Sequence, residues 1–232
     1  MAEPVLSVIT HVYNAQGGVD EQLDSWRTLP TPIREKIEFI VIDDHSDTPL
    51  TVNSLGLNVR LFRVLDDIDW NMPGCRNLAA LHASAPWMLF FDVDNVLPAP
   101  MAIRLIEGLP TLDPLTLYVF RRIHDGVEVV PHINSFLITK RGFYRAGGYD
   151  EDFSGHYGFE DVLFRNMWRR YVGKEVLLSD IAFQQKGWRT NDLDRDLTRN
   201  QALIQYKAAT GFEKPRGVVR FGWEEKDTQD GL

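Results

Sequence analysis

Residues 87–95, Trp87-Met88-Leu89-Phe90-Phe91-Asp92-Val93-Asp94-Asn95, constrain the fold more than any other stretch. Five consecutive bulky apolar residues, too few for a buried helix, read as a strand covered on both faces. Such a strand belongs inside a sheet, and this one runs directly into two carboxylates. Side chains alternate along an extended backbone, so Asp92 and Asp94, two apart, share one direction beyond the strand end. Paired carboxylates suit a hard divalent cation such as Mg²⁺ or Mn²⁺, which takes oxygen ligands and fills its remaining positions with water and phosphate oxygens. Asp-x-Asp recurs at Asp67/Asp69, Asp150/Asp152, Asp192/Asp194 and Asp194/Asp196, and Asp-Asn also starts ordinary turns. Only the copy at Asp92 follows a buried run.

The first hundred residues repeat that design. Val5-Leu6-Ser7-Val8-Ile9 is a strand that delivers the loop 10–14, and a helix over 19–29 ends at Pro30 and Pro32. Residues 37–42 form a second buried strand closed by Asp43-Asp44-His45-Ser46-Asp47, and 59–64 a third. Gly74-Cys75-Arg76-Asn77 opens a helix that leads into the strand at 87. Strands alternating with helices indicate an α/β layer with a parallel sheet, whose ligands bind beyond the carboxyl ends of the strands. Tyr13, Asp44 and Asp92/Asp94 all lie just past strand ends and therefore converge on one edge.

The second half has a different texture. Residues 117–120 and 127–130 read as a hairpin around His124-Asp125-Gly126. A strand over 134–139 and a short helix over 140–145 follow, and Gly158-Phe159-Glu160-Asp161 starts a helix with apolar positions at a 3.6 period. A further helix reaches about Ala209. The expected organisation is one domain over 1–210, in two halves at 1–98 and 99–210, followed by a surface tail over 211–232.

A net charge of −8 lacks the basic field that phosphate neutralisation of nucleic acid requires. The single cysteine, Cys75, forms no internal disulfide and fits a reducing compartment. No apolar run approaches the roughly 18 residues of a membrane span, so a soluble, cytoplasmic chain is expected. Neither Gly-x-Gly-x-x-Gly nor a phosphate-loop Gly-Lys-Ser/Thr is present, which argues against dinucleotide or ATP use.

The ordered set Ser7-Val8-Ile9 to Tyr13-Asn14, Val41-Ile42-Asp43-Asp44-His45-Ser46, Gly74-Cys75-Arg76-Asn77, Phe91-Asp92-Val93-Asp94 and Gly158-Phe159-Glu160-Asp161 with Arg165 resembles the inverting GT-A glycosyltransferases of the family-two type. Residues 134–161 also look like the acceptor half of galactosyltransferase-like members. The resemblance spans about three quarters of the chain. It implies a GT-A fold with a mostly parallel central sheet and helices on both faces. It also implies transfer of a sugar from a UDP-sugar to a glycan or other hydroxyl acceptor, assisted by Mn²⁺ or Mg²⁺, as in polysaccharide biosynthesis.

In that pattern Tyr13 flanks the base, Asp44 accepts the uracil N3–H, Arg76 faces the nucleotide, Asp92 holds ribose and metal, and Asp94 is the firmer metal ligand. Asp161 is the base and Glu160 orients the acceptor. Taken singly, Tyr13 also reads as a strand-end aromatic, Asp44 as a turn residue, Arg76 as a solvated helix residue, and Glu160 and Asp161 as acids favoured by a helix dipole. Gly147-Gly148 makes a turn or lets the backbone approach the sugar, and His156, Tyr157 and Trp188 are candidate acceptor contacts.

Two departures stand out. Where many relatives supply a third metal ligand from a His, this chain reads Ala182-Phe183-Gln184-Gln185, with Gln184 in the histidine's place. His11 stands where Pro or Thr is frequent, beside the base. A catalytically silent nucleotide-sugar or carbohydrate-binding protein on the same fold is therefore the alternative reading.

Overall fold

In the computed structural model, which describes residues 3–187, 193–215 and 219–228, the opening apolar run becomes strand β1 (Leu6–Val12) at the centre of the sheet. Helices α1 (Gln16–Arg27) and α2 (Thr31–Arg34) lead to β2 (Ile37–Asp43) and β3 (Val59–Val64), both parallel in sequence to β1. Helix α3 (Met72–His82) then carries the chain back to β4 (Trp87–Phe90), on the other side of β1. The strand order reverses at β1, and that reversal opens a crevice beyond its carboxyl end.

The remaining elements are β5 (Asn95–Val96), α4 (Ala99–Gly108), β6 (Leu117–His124), β7 (Val127–Val129), β8 (Phe136–Thr139), α5 (Lys140–Ala146), α6 (Glu160–Tyr171), β9 (Glu175–Gln185), α7 (Thr198–Ala209) and β10 (Trp223–Lys226). The strands run β10-β3-β2-β1-β4-β8-β6-β9-β5 across one sheet, with β7 on β6. From β10 to β4 only the β10 edge is antiparallel. Beyond β4 the sheet is mixed: β8 is antiparallel to β4 and β6, β9 is parallel to β6, and β5 is antiparallel to β9. The parallel order read from the sequence thus belongs to the first half.

Alternation on the central strands feeds two cores. Leu6, Val8, Phe39, Val41, Trp87 and Leu89 face α1 and α4, meeting Leu23, Trp26, Leu105 and Ile106. Ile9, Ile40, Ile42, Met88 and Phe90 face α3, α5 and α6, meeting Leu78, Phe143, Phe164 and Trp168. A two-residue period with both faces covered is why these strands read as unbroken apolar runs. Gly142 lets α5 and α6 approach closely, since a Cβ there would lie 2.5 Å from the Trp168 ring.

Glu38 fastens the amino ends of the strands. This buried carboxylate of β2 accepts from Ser7 Oγ on β1 and from Ser84 N (2.6 Å), Ser84 Oγ (2.7 Å) and Ala85 N (3.1 Å) in the turn before β4.

Two elements differ from the sequence expectation. β9 was not foreseen, because three residues between Leu178 and Ala182 bulge out of the β6 pairing and break the alternation. Residues 223–226 are not a surface tail: β10 adds an edge strand to β3, with Arg60 bridging to Glu225 at 2.7 Å and Trp223 edge-on to Phe62. Among the described residues no helix is long and apolar enough to cross a membrane.

Candidate active site

β1 continues through Thr10, His11 and Val12, past the apolar run, because those residues keep pairing with β2. Its end, the turn after β2 and the turn after β4 meet at a cavity of about 570 Å³. His11, Tyr13, Asp44, Asp92 and Asp94 all line it, so the convergence expected from the sequence is realised. Trp188 lies outside the described residues.

At the β2 side, Asp44 is buried beside Cys75 and Asn71, and its Oδ1 has no partner. Burial pushes this carboxyl up to about 7. An acceptor oxygen of this kind is completed by a ligand N–H. Burial, reinforced by Arg76, pushes the His11 imidazole down to about 4, so it is neutral, and its Nδ1 is unpartnered.

At the β4 side, the two carboxylates are treated differently. Burial raises Asp92, but His132, Arg76 and His11 outweigh it and hold the group below the usual carboxylate range. Arg76 Nη2 lies 2.9 Å from Asp92 Oδ1, and His132 Nδ1 3.5 Å from Oδ2. Asp94 accepts from Asn95 Nδ2 (2.6 Å) and from Gln185 Nε2 (3.4 Å), and burial followed by the Asp92 charge raises it. Asp94 is short of positive charge and Asp92 is not. A divalent cation fits that imbalance, held by Asp94 with Asp92 beside it. Among the described residues no three His, Cys, Asp or Glu side chains form a ready cage, so a cation there would depend on these carboxylates and on oxygens from outside the protein.

Two assignments need correction. Gln184 pairs with Val96 and is exposed; Gln185, opposite Asn95, lines the cavity and reaches Asp94. The side chains of successive strand residues point to opposite faces, so one step in sequence exchanges them. Arg76 does not line the cavity. Its guanidinium is consumed by Tyr149 Oη (2.8 Å), Asp92 and the Asn134 carbonyl (3.1 Å), with the rings of Phe90, Phe136 and Tyr149 within 5.7 Å. Of the two roles open to Gly147, the turn is present: φ is +104°, and a Cβ there would lie 2.5 Å from the Pro215 carbonyl oxygen.

Glu160 and Asp161 occupy the first turn of α6, entered through Gly158 and Phe159 with positive φ. Neither lines the cavity, although both feel the charges of Arg76 and Asp92. Burial, and then Asp161, pushes Glu160 up to about 7; its Oε2 is buried without a partner. Burial also raises Asp161.

The sequence reading missed His132, Arg122, Trp70, Asp67, Asp69, Arg195 and Gln185 on the cavity wall. Asp67 and Asp69 stand out in the sequence only as one more Asp-x-Asp copy and Gln185 only as the neighbour of Gln184, and the others sit in no recognisable motif. Of the candidate acceptor contacts, Tyr157 lines the cavity and stacks near Trp70 (4.6 Å), whereas the His156 side chain is exposed.

The architecture is an α/β fold whose cavity lies past the carboxyl ends of β1, β2 and β4, with Asp44 following β2 and Asp92 and Asp94 following β4. Residues 7–168 match the model of Glycosyl transferase family 2, and the chain belongs to that family. Its fold is similar to S. aureus TarS 1-349 in complex with UDP-GlcNAc, with TM-score 0.70 at 16% identity over 88% of this chain and 65% of that one. It is also similar to a second crystal structure of S. aureus TarS 1-349, with TM-score 0.64 at 18% identity over 78% of this chain and 60% of that one. A third match is the mannosyltransferase PcManGT from Pyrobaculum calidifontis in complex with GDP-Man and Mn²⁺, with TM-score 0.63 at 17% identity over 94% and 67%. The chain thus spans about three fifths of the length of TarS 1-349. No curated protein matches the sequence.

Proposed function

We propose that this chain is an inverting glycosyltransferase that moves a hexose from a UDP-sugar to a hydroxyl acceptor with the help of Mn²⁺ or Mg²⁺. The observation that carries the reading is the placement of an unpartnered Asp44 oxygen and an undercompensated Asp94 on the same cavity. The first suits a base N–H, the second a cation on the diphosphate.

Asp44 Oδ1 accepts the uracil N3–H, a hydrogen that cytosine lacks, and Tyr13 flanks the ring. Neutral His11 offers Nδ1 to the nucleoside. Asp92, fixed by Arg76 and His132, accepts from the ribose hydroxyls. Asp94 and Gln185 would hold a divalent cation, which would supply Lewis-acid stabilisation of negative charge on a departing diphosphate. Asp161, raised by burial, takes the acceptor's proton as its oxygen attacks the anomeric carbon from the face opposite the diphosphate. The new C–O bond forms as the old one breaks, its electron pair leaves with UDP, and configuration inverts. Glu160, near 7, retains a proton for part of the time and can donate to the acceptor.

A second reading, nucleotide-sugar binding without transfer, draws support from the absence of Glu160 and Asp161 from the cavity wall. Calorimetric titration of UDP, GDP and CMP with and without Mn²⁺, followed by a transfer assay with UDP-sugars, tests both. Metal-dependent UDP binding with turnover lost in Asp161→Asn supports the enzyme, and undiminished transfer in that variant sinks the assigned base. Binding without any turnover supports the second reading.

A further inference from the structure

β6 carries two consecutive arginines whose situations differ. Arg121 is engaged outside the cavity, at 2.7 Å from Glu128 across the β6–β7 hairpin and 3.3 Å from the Ser179 carbonyl. Arg122 lines the cavity, half-buried. Among the described residues its guanidinium makes no hydrogen bond and no ion pair, and its Nε is shielded from solvent without a partner. A guanidinium carries five N–H donors, and leaving them idle away from water is unfavourable. Neither carboxylate of the cavity floor pairs with it: Asp92 is engaged by Arg76 and His132, and Asp94 meets only the neutral amides of Asn95 and Gln185.

The strand order says which part of a substrate reaches it. Across the sheet, Asp44 follows β2, Asp92 and Asp94 follow β4 two strands on, and Arg122 lies on β6 two strands further. Neighbouring strands are about 4.8 Å apart, so β6 stands roughly 10 Å beyond β4 on the side away from the base. With the base at Asp44 and the diphosphate at Asp94, the group facing Arg122 is what lies past the diphosphate.

We propose, resting on the nucleotide-sugar reading above, that Arg122 is a specificity-determining residue that takes an anionic oxygen group, carboxylate or phosphate, carried by the transferred sugar or by the acceptor. A planar fork of donors matches either anion in bidentate fashion.

The test is calorimetric titration of UDP, UDP-glucose and UDP-glucuronate with Mn²⁺ into the wild-type chain, Arg122→Gln and Arg122→Lys. If the sugar bears the anion, UDP-glucuronate binds the wild type about tenfold tighter than UDP-glucose. Arg122→Gln then abolishes the preference while UDP affinity holds, and Arg122→Lys restores part of it. If the acceptor bears the anion, the two donors bind alike. In that case glycerol 3-phosphate, but not glycerol, binds the UDP-saturated wild type, and Arg122→Gln removes that binding. Equal donors with no uptake of glycerol 3-phosphate overturn the proposal. So does a tenfold loss of UDP affinity itself in Arg122→Gln, which assigns the guanidinium to the diphosphate. Failure of the wild type to bind UDP overturns instead the nucleotide-sugar reading on which the proposal rests. Among the described residues the guanidinium has no partner, so its replacement removes no bond that holds the fold.

Discussion

Arg76 Nη2 lies 2.9 Å from Asp92 Oδ1, and the arginine that makes this bond is only 1% exposed. The bond passes from α3 to the turn after β4, so a helix on one face of the sheet sets the position of a carboxylate on the cavity. Removing the guanidinium leaves Asp92 half-neutralised beside Asp94 and strands Tyr149 Oη and the Asn134 carbonyl. Arg76→Met is expected to lower stability by about 3–5 kcal/mol, the cost of breaking a buried pair from one side. Thermal unfolding of the variant, with Tm lower by about 10 °C, checks this. A Tm within a degree or two of wild type would show the pair contributes nothing.

Asp44 makes nucleotide binding pH-dependent. Its carboxyl sits at about 7 in the free protein because burial disfavours the charge. A bound N3–H stabilises the carboxylate and pulls the value down, so binding expels a proton from the fraction still protonated. UDP affinity rises as pH climbs from 6 to 7 and levels off above, and titrations at pH 6.5 in buffers of different ionisation enthalpy report proton release. The same raised value has the opposite sign for stability: relative to an unfolded carboxyl near 3.8, the contribution is fully present below that and is lost as pH rises through about 7. Asp44→Asn removes both dependences. Proton release that persists unchanged in this variant would assign it to another group, such as Glu160.

How far the sequence was legible follows from what each residue answers to. β2, β3 and β4 are buried on both faces, so their own composition marks them, with bounds within a residue or two. β10 reads Trp-Glu-Glu-Lys and has no such mark; it exists because β3 presents an edge and Arg60 a charge. β9 is interrupted by a bulge that only its partner defines. At the site, carboxylates at strand ends were visible because topology carries them there. His132 and Arg122 were not, since they arrive from the hairpin half, where no short motif records which side chain turns inward. Arg76 was visible as a residue but not as a buried one, because its burial depends on Phe90, Phe136 and Tyr149 arriving from three other segments.

Glu38 is the counterpart of Arg76 at the amino end of the sheet, 2% exposed and accepting from both Ser7 and the 84–85 turn. Glu38→Ala leaves the Ser84 N–H and the Ser7 and Ser84 hydroxyls without their acceptor, while the Ala85 N–H keeps Ser7 Oγ at 3.2 Å. The expected loss is about 3 kcal/mol or more, since hydrogen bonds to a charged group are each worth about 1.5–3 kcal/mol. The cavity lies past the opposite strand ends, so UDP affinity of the folded variant is expected to stay within about twofold of wild type. Denaturant unfolding and calorimetry on the same preparation separate the two effects. A large loss of affinity in a fully folded variant would mean that the two ends of the sheet are linked.

The adjacent glutamines at the end of β9 offer a direct check on the cation site. Gln185 faces the cavity, 3.4 Å from Asp94 Oδ2, and Gln184 faces away. An amide supplies a neutral oxygen to a hard cation, or, turned about, a donor that fixes the carboxylate ligand. In either role, Gln185→Ala weakens the Mn²⁺-dependent part of UDP binding by about 10-fold, the scale of effects from groups that orient metal ligands. UDP binding without metal changes little. Gln184→Ala affects neither, because that side chain is exposed on the other face of the strand. Titrations of UDP at saturating Mn²⁺ and in chelator, on both variants, read the difference. Equal losses, or a loss confined to Gln184→Ala, would place the strand in the other register and return the third ligand position to Gln184.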